Sequence, residues 1–184
     1  AAGEIAFQRH KKYNYSDGYT EMLRHYGILG PWVALSGMAA ANVDNTNVLG
    51  LSVLAGSAGG LLIGNKVAKH YDYTRGDADA ISSLSVICTG LGFAFVTEAY
   101  KNNDASGLIL IPAAGSILGT IWGQQSVKGV SLTKKQGSTI NLSTAGAALV
   151  GLGVVALTES ESAGVWIGVP SGLALITHQL LMQH

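Results

Sequence analysis

The chain has 184 residues, and its eleven Lys and Arg residues balance eleven Asp and Glu residues, so the formal net charge is zero. This balance provides no general attraction to nucleic acid, and we expect no nucleic-acid partner. Charged residues make up 12% of the chain, against about 25% in a typical soluble domain, and 25 residues are glycine. Such a composition argues against an intrinsically disordered chain and against an ordinary soluble surface.

The charged residues fall in blocks that leave six long uncharged stretches. Counting His as neutral, these stretches are 25–43, 45–65, 80–97, 105–127, 136–158 and 162–184. A membrane-spanning helix needs about 20 residues with few or no charges. Six helices of a soluble bundle would carry charged outer faces. The pattern therefore favours membrane embedding, while the weak hydrophobicity of Gly- and Ala-rich helices leaves a soluble glycine-rich helical bundle open.

In chain order, the elements begin with segment 1–12. We interpret this segment either as the remnant of a preceding helix, which would make the chain part of a longer protein, or as a free polar N-terminal segment. Helices are then predicted over 18–42, 47–70, 77–99, 106–127, 136–157 and 163–182. A β-barrel is disfavoured because the uncharged runs are about twice as long as a membrane strand of about ten residues. The predicted fold is all-α.

An internal repeat groups these helices into three tandem hairpins. The sequence YNYSDG at 13–18 matches YDYTRG at 71–76, and 74–81 matches 133–140. We therefore predict a single helical repeat domain over 13–184, with units of about 13–70, 71–128 and 129–184. Two prolines, Pro112 and Pro170, recur at the same offset and are expected about six residues inside their helices, where proline kinks a helix.

Three glycine ladders of the form GxxxGxxxG are the most distinctive motif. Such a ladder on a helix presents a bare stripe that lets a neighbouring helix approach closely. The first two ladders occupy equivalent positions in successive units, so we predict that they form one continuous seam. The third ladder departs from that register and is expected to pack on another face or to end the array. The predicted helix-packing residues are Gly56, Gly60, Gly64, Gly115, Gly119, Gly123, Gly164, Gly168 and Gly172.

The polar loops between hairpins carry helix-capping signals. Thr74 followed by Asp77, and Thr133 followed by Gln136, fit the capping box, in which the two residues satisfy each other's backbone N–H groups. Ser16 is the equivalent cap of the first unit. Asp77 therefore needs no catalytic or metal-binding role, and no metal site is predicted because the acidic loop lacks an EF-hand pattern.

Basic residues are distributed unequally between the two ends of the predicted hairpins. Ten Lys and Arg residues fall on the end that carries both termini of each hairpin, and only Lys101 falls on the other end. In an inner-membrane protein the basic end would face the cytoplasm. The expected location is a membrane, and the asymmetry alone leaves the choice between an inner and an outer membrane open.

The sequence carries no catalytic signature. It contains no GxSxG, P-loop, HExxH or CxxC motif, so we expect no enzyme activity and no cofactor. His178 is the candidate pathway residue, because an ionisable side chain within an apolar helix can mark a proton or ion path. The alternative role for His178 is a hydrogen bond to a neighbour or a place at the membrane interface.

The glycine ladders and the repeated loop around Tyr71 and Gly76 resemble glycine-zipper helical repeat proteins of bacterial envelopes. The resemblance covers most of the chain. It implies a non-enzymatic, membrane-embedded structural or assembly module of a larger envelope protein or complex. Its expected partners are membrane lipid and other protein subunits, or a preceding part of the same protein. The main alternative is a channel or carrier for a small solute or ion, since transporters often contain internal repeats.

Overall fold

The computed structural model describes residues 15–100 and 106–183, so the predicted remnant over 1–12 lies outside the described residues. The described chain contains six α-helices and no β-strand, which confirms the all-α prediction. The helices form three hairpins in chain order: α1 (Asp17–Ala40) with α2 (Thr46–His70), α3 (Arg75–Tyr100) with α4 (Leu110–Ser126), and α5 (Lys134–Leu157) with α6 (Ala163–Met182).

The start of the fourth helix differs from the prediction. A 3₁₀ turn, Ser106–Ile109, precedes α4, so Pro112 lies in the first helical turn instead of the interior. The first N–H groups of a helix have no intrahelical acceptor, so a proline there removes no hydrogen bond. Pro170, in contrast, lies inside α6, as expected.

The predicted caps lie at the starts of the first helices of the hairpins. The Ser16 hydroxyl accepts a hydrogen bond from the Tyr19 N–H at 3.1 Å. Thr74 and Asp77 cap each other: the Thr74 N–H donates to Asp77 Oδ2 at 2.9 Å, and the Asp77 N–H donates to Thr74 Oγ1 at 3.1 Å. Thr133 and Gln136 form the same reciprocal capping box before α5. Each cap satisfies donors that the helix start leaves unpaired.

The three hairpins stack through their first helices. Besides packing on its own partner, α1 contacts both helices of the second hairpin, and α3 contacts both helices of the third hairpin. This repetition of one packing arrangement is typical of an array in which each unit buries its face against the next. The second and third hairpins therefore occupy equivalent positions relative to the preceding unit.

The first two glycine ladders lie at close helix contacts inside their own hairpins. A Cβ built on Gly56 would lie 2.7 Å from the Gly30 carbonyl oxygen of α1, and one on Gly60 would overlap the Tyr26 carbonyl oxygen. A Cβ on Gly119 would lie 2.6 Å from the Leu84 carbonyl oxygen of α3. Each ladder thus permits backbone contact between two antiparallel helices.

The prediction of one continuous seam is wrong. The ladder on α2 faces α1, whereas the ladder on α4 faces α3, so the two ladders line separate contacts in successive hairpins. The physical reason is that each repeat unit contains both a ladder and the helix on which that ladder packs. Equivalent sequence positions therefore produce equivalent contacts and do not form one shared contact.

The third ladder plays a different part from the first two. A Cβ on Gly168 would lie 3.4 Å from the Ala94 Cβ of the preceding hairpin, which is ordinary contact, and one on Gly172 would meet nothing within 4 Å. The prediction of a close helix contact at Gly172 is therefore wrong. The close approach of α5 and α6 instead occurs at Gly151, whose Cβ would lie 2.7 Å from the Pro170 Cα.

Large apolar side chains lie on the outside of the bundle, and many small polar side chains lie inside. Leu54 is 67% exposed, Leu142 is 72% exposed and Leu157 is 87% exposed, while Ser116 and Thr120 are 2% exposed. Five described segments are long and apolar enough to cross a membrane: Thr46–His70, Arg75–Thr97, Gly107–Ser126, Lys134–Leu157 and Ala163–Met182.

Candidate functional site: the hairpin junctions and their grooves

The junction between the second and third hairpins contains a buried carboxylate. Asp77 is 3% exposed. Its Oδ1 accepts a hydrogen bond from the Leu132 N–H at 2.9 Å, and its Oδ2 accepts one from the Thr74 N–H. The Thr74 hydroxyl donates to the Leu132 carbonyl at 2.6 Å. Asp77 therefore joins the start of α3 to the chain that enters α5, in addition to its predicted capping role.

A network of neutral side chains joins the first two hairpins. His25 Nε2 lies 2.9 Å from Thr120 Oγ1, and His25 Nδ1 lies 3.2 Å from Ser82 Oγ. The Thr120 hydroxyl in turn lies 2.8 Å from the Ser116 carbonyl, to which it donates. With this assignment the Nε2–H donates to Thr120 and the Ser82 hydroxyl donates to Nδ1, so a neutral imidazole satisfies the network.

His178 occupies the equivalent junction between the second and third hairpins. It is fully buried, and its Nε2 lies 3.1 Å from the Ala80 carbonyl oxygen, which can only accept the hydrogen bond. Its Nδ1 has no hydrogen-bond partner among the described residues. His178 lies 58 positions after Thr120. The predicted pathway residue is thus placed in a helix-packing contact, and its pathway role stays a hypothesis.

A first groove lies between the first and second hairpins and encloses about 420 Å³. Apolar and aromatic side chains form its walls, and hydroxyl groups lie along its floor. Its lining includes Ile28, Trp32, Ser82, Val86, Phe93 and Ser116. The groove is open to the outside, because Ile28 is 64% exposed and Val86 is 71% exposed.

A second groove of about 440 Å³ lies between the second and third hairpins. It is the repeat equivalent of the first groove, since Asn141 and Thr144 lie 59 positions after Ser82 and Ser85. The two grooves share Ser82 and the exposed Val86, both on α3. Ser82 and Val86 therefore form the ridge that the two grooves share.

A charged cluster lies on the basic side of the bundle near these grooves. Glu21 Oε2 lies 3.1 Å from Arg24 Nε, and Glu21 Oε1 lies 3.5 Å from Arg75 Nη2. One carboxylate therefore forms salt bridges with two guanidinium groups. Asp79 lies within electrostatic range of both arginines and of Lys134. The cluster, defined as Glu21, Arg24, Arg75, Asp79 and Lys134, thus contains three cations and two anions.

A more polar cleft of about 390 Å³ lies on the same side, between the loop before α3 and the end of α4. Tyr73 lines it, and burial raises the pKa of the Tyr73 phenol to about 12, with a smaller contribution from nearby Asp77 and tyrosine side chains. In the described part of the chain, no three His, Cys, Asp or Glu side chains come together as metal ligands. The geometry at this cleft thus supports no specific chemistry.

Comparisons of the chain with protein-family models, with curated proteins and with solved structures find no match.

Sequence reasoning missed the grooves and the charged cluster, although a periodic signal was present. Arg75, Asp79, Ser82 and Val86 have the spacing i, i+4, i+7 and i+11, which places them on one helix face. The equivalent positions of α5 are Lys134, Ser138, Asn141 and Ala145. Along each face the residues change from charged to small polar to apolar.

Proposed function

We propose that the protein is a non-enzymatic, membrane-embedded structural or assembly module of a bacterial cell envelope. The observation that carries the proposal is the distribution of side chains in the bundle. Leu54, Leu142 and Leu157 face outward, whereas Ser116, Thr120 and His178 are buried with hydrogen-bond partners. In water this arrangement would leave large apolar surfaces unprotected, whereas in lipid it places apolar groups in hydrocarbon and polar groups in the interior.

The lengths of the helices agree with this proposal. The 24 residues of α5 extend about 36 Å, which covers a hydrocarbon core of about 30 Å. The first helix is absent from the five candidate spans, but it has 24 residues and packs closely along α2 at Gly56 and Gly60. We therefore expect α1 to cross the membrane together with α2.

The structural role is supported by how the interior is occupied. The hairpin interfaces are filled by backbone contacts at glycines and by Ser, Thr and His side chains that form hydrogen bonds across or along the helices. The two grooves described above open sideways to the surface of the bundle, as a lipid- or protein-facing recess would. The resemblance to glycine-zipper repeat proteins and the basic asymmetry support placement in a bacterial envelope, with other envelope subunits as partners.

Purification and reconstitution test this function in two steps. The protein should be recovered in the membrane fraction, remain monodisperse in detergent and aggregate when the detergent is removed. A chain that stays monodisperse without detergent would contradict membrane embedding. In liposomes the protein should give no more ion or small-solute flux than protein-free liposomes. Flux that is lost in His178→Ala, while the variant still reconstitutes, would instead establish the channel or carrier alternative.

A further inference from the structure

The two grooves and the charged cluster form one continuous surface. On α3, Arg75 and Asp79 belong to the cluster, and Ser82 and Val86 on the same helix face line both grooves. On α1, Arg24 belongs to the cluster and also lines the first groove. Each groove therefore leads from charged groups on the basic side toward the middle of the bundle.

The length of the grooves corresponds to one leaflet of a bilayer. Along α3, the first groove extends from Ser82 to Phe93, a rise of about 16 Å, and the second extends from Ser82 to Gly90, a rise of about 12 Å. Half of a hydrocarbon core is about 15 Å thick. Ser82 lies about 5 Å beyond Asp79 along α3, so an acyl chain whose phosphate is at the cluster would enter a groove at Ser82 and follow it for most of the depth of its own leaflet.

The cluster is complementary to a single negative charge. Its three cations and two carboxylates leave one net positive charge, and the Arg24 and Arg75 side chains are 68% and 36% exposed. A phosphodiester group carries one negative charge and has oxygens that accept hydrogen bonds from guanidinium groups. A zwitterionic lipid brings its own cation to the same place and neutralises the cluster less well.

From these observations we infer that the surface binds one anionic diacyl phospholipid from the leaflet on the basic side. Its phosphate lies at Arg24 and Arg75, and its two acyl chains lie in the two grooves on either side of Val86. This inference rests on the proposed membrane embedding. The site should prefer lipids with a negatively charged headgroup. Arg24 and Arg75 would bind the phosphate, and the Ser82–Val86 ridge would separate the two acyl chains.

Fluorescence quenching by brominated lipids tests the inference, because Trp32 lines the first groove. The chain has three Trp residues, so Trp122→Phe with Trp166→Phe leaves Trp32 as the reporter. The protein is reconstituted in phosphatidylcholine with a small fraction of phosphatidylglycerol brominated on its acyl chains, or with the same fraction of brominated phosphatidylcholine. One net positive charge should make the site bind the anionic lipid about fivefold more tightly than the zwitterionic one. At equal, small mole fractions, quenching of Trp32 should therefore be about fivefold stronger with the anionic lipid.

Two basic-residue variants show whether the preference comes from the cluster. Arg24→Gln combined with Arg75→Gln leaves one cation against two carboxylates, so it should reduce quenching by brominated phosphatidylglycerol to the phosphatidylcholine level or below. Lys128→Gln, which removes a cation on the same side but outside the cluster, should leave the preference unchanged. Equal quenching of Trp32 by both lipids in the protein with an intact cluster would overturn the lipid site. An equal loss of preference in Lys128→Gln would also overturn it, because the attraction would then be general.

A second reporter separates failure of the lipid site from failure of the membrane proposal. Trp32→Phe with Trp122→Phe leaves Trp166, which lies on α6 away from both grooves and is 39% exposed. Trp166 should be quenched equally by the two brominated lipids. If neither lipid quenches Trp166 or Trp32, the membrane embedding itself is wrong. If both lipids quench Trp166 and Trp32 shows no preference, only the lipid site is wrong.

Discussion

Gly92 lies directly against Pro112: a Cβ built on Gly92 would be 2.6 Å from the Pro112 Cα. The third hairpin repeats this contact, since a Cβ on Gly151 would lie 2.7 Å from the Pro170 Cα. Proline has no backbone N–H, so glycine, which has no side chain, can pack against it without leaving a hydrogen-bond donor unpaired. The pair marks a close approach of the two helices in each of these hairpins.

Alanine substitutions on α5 test whether this contact stabilises the third hairpin. Gly151→Ala should lower the free energy of unfolding in detergent by about 1–3 kcal/mol, because the added methyl group overlaps Pro170. Gly153→Ala on the same helix should be neutral or stabilising, because a Cβ there meets nothing within 4 Å and alanine favours a helix over glycine. Equal effects of the two variants would contradict the close contact.

The same comparison applies to the first glycine ladder, where two adjacent glycines differ in surroundings. Gly60→Ala should destabilise α1 against α2, since its Cβ would overlap the Tyr26 carbonyl oxygen. Gly59→Ala places the same methyl group in open space. Thermal unfolding in detergent should show a lower Tm for Gly60→Ala and an unchanged or higher Tm for Gly59→Ala. A lower Tm for both would show that glycine is needed there for a reason other than contact with α1.

Sequence alone predicted the six helices, their hairpin pairing and the capping residues, because each leaves a local signal. Uncharged runs mark the helices, and the repeat fixes which helices are equivalent. The partner of each ladder was not predictable in this way. GxxxG specifies a close approach but not the helix that makes it, so the predicted single seam is wrong: Gly60 faces α1 and Gly119 faces α3.

The candidate site depended even more on the tertiary structure. Thr120 and His178 are equivalent in sequence, but one is a small hydroxyl and the other an imidazole, and their shared junction position appears only once the hairpins are stacked. Likewise, Arg24 and Arg75 are 51 residues apart and meet only because Glu21 lies between them. The pattern on one helix shows which residues share a face, but it does not identify the distant residue that the face contacts.

Asp77 should matter more than its repeat equivalent, because it is bonded to two segments. Asp77→Asn leaves one oxygen where two accept N–H groups, from Thr74 and Leu132, and should cost about 1–3 kcal/mol of the free energy of unfolding. Gln136 is exposed and serves only the cap at Thr133, so Gln136→Ala should cost about 1 kcal/mol or less. Denaturant titrations in detergent measure both values. A larger loss for Gln136→Ala would contradict the junction role of Asp77.

The raised pKa of Tyr73 predicts that the folded protein loses stability at alkaline pH. Its pKa of about 12 lies above the ordinary value of 10.0, so the folded state holds the phenolic proton more tightly than the unfolded state does. The stabilisation is fully present below pH 10 and is lost as the pH rises from about 10 to about 12. Comparison of the wild type with Tyr73→Phe isolates this contribution, since phenylalanine does not titrate. An identical pH dependence in both proteins would show that Tyr73 does not cause the loss.

Cysteine accessibility in sealed vesicles of one orientation tests the membrane-embedded array most directly. Cys88→Ser removes the single native cysteine, and single cysteines are then introduced as Asp44→Cys, Glu161→Cys, Val130→Cys or Leu142→Cys. A membrane-impermeant maleimide should label positions 44 and 161 from one side and position 130 from the other. Leu142, which is 72% exposed on the outer face of α5, should stay unlabelled. Rapid labelling of position 142 from water, together with labelling of 44 and 130 from the same side, would contradict the account.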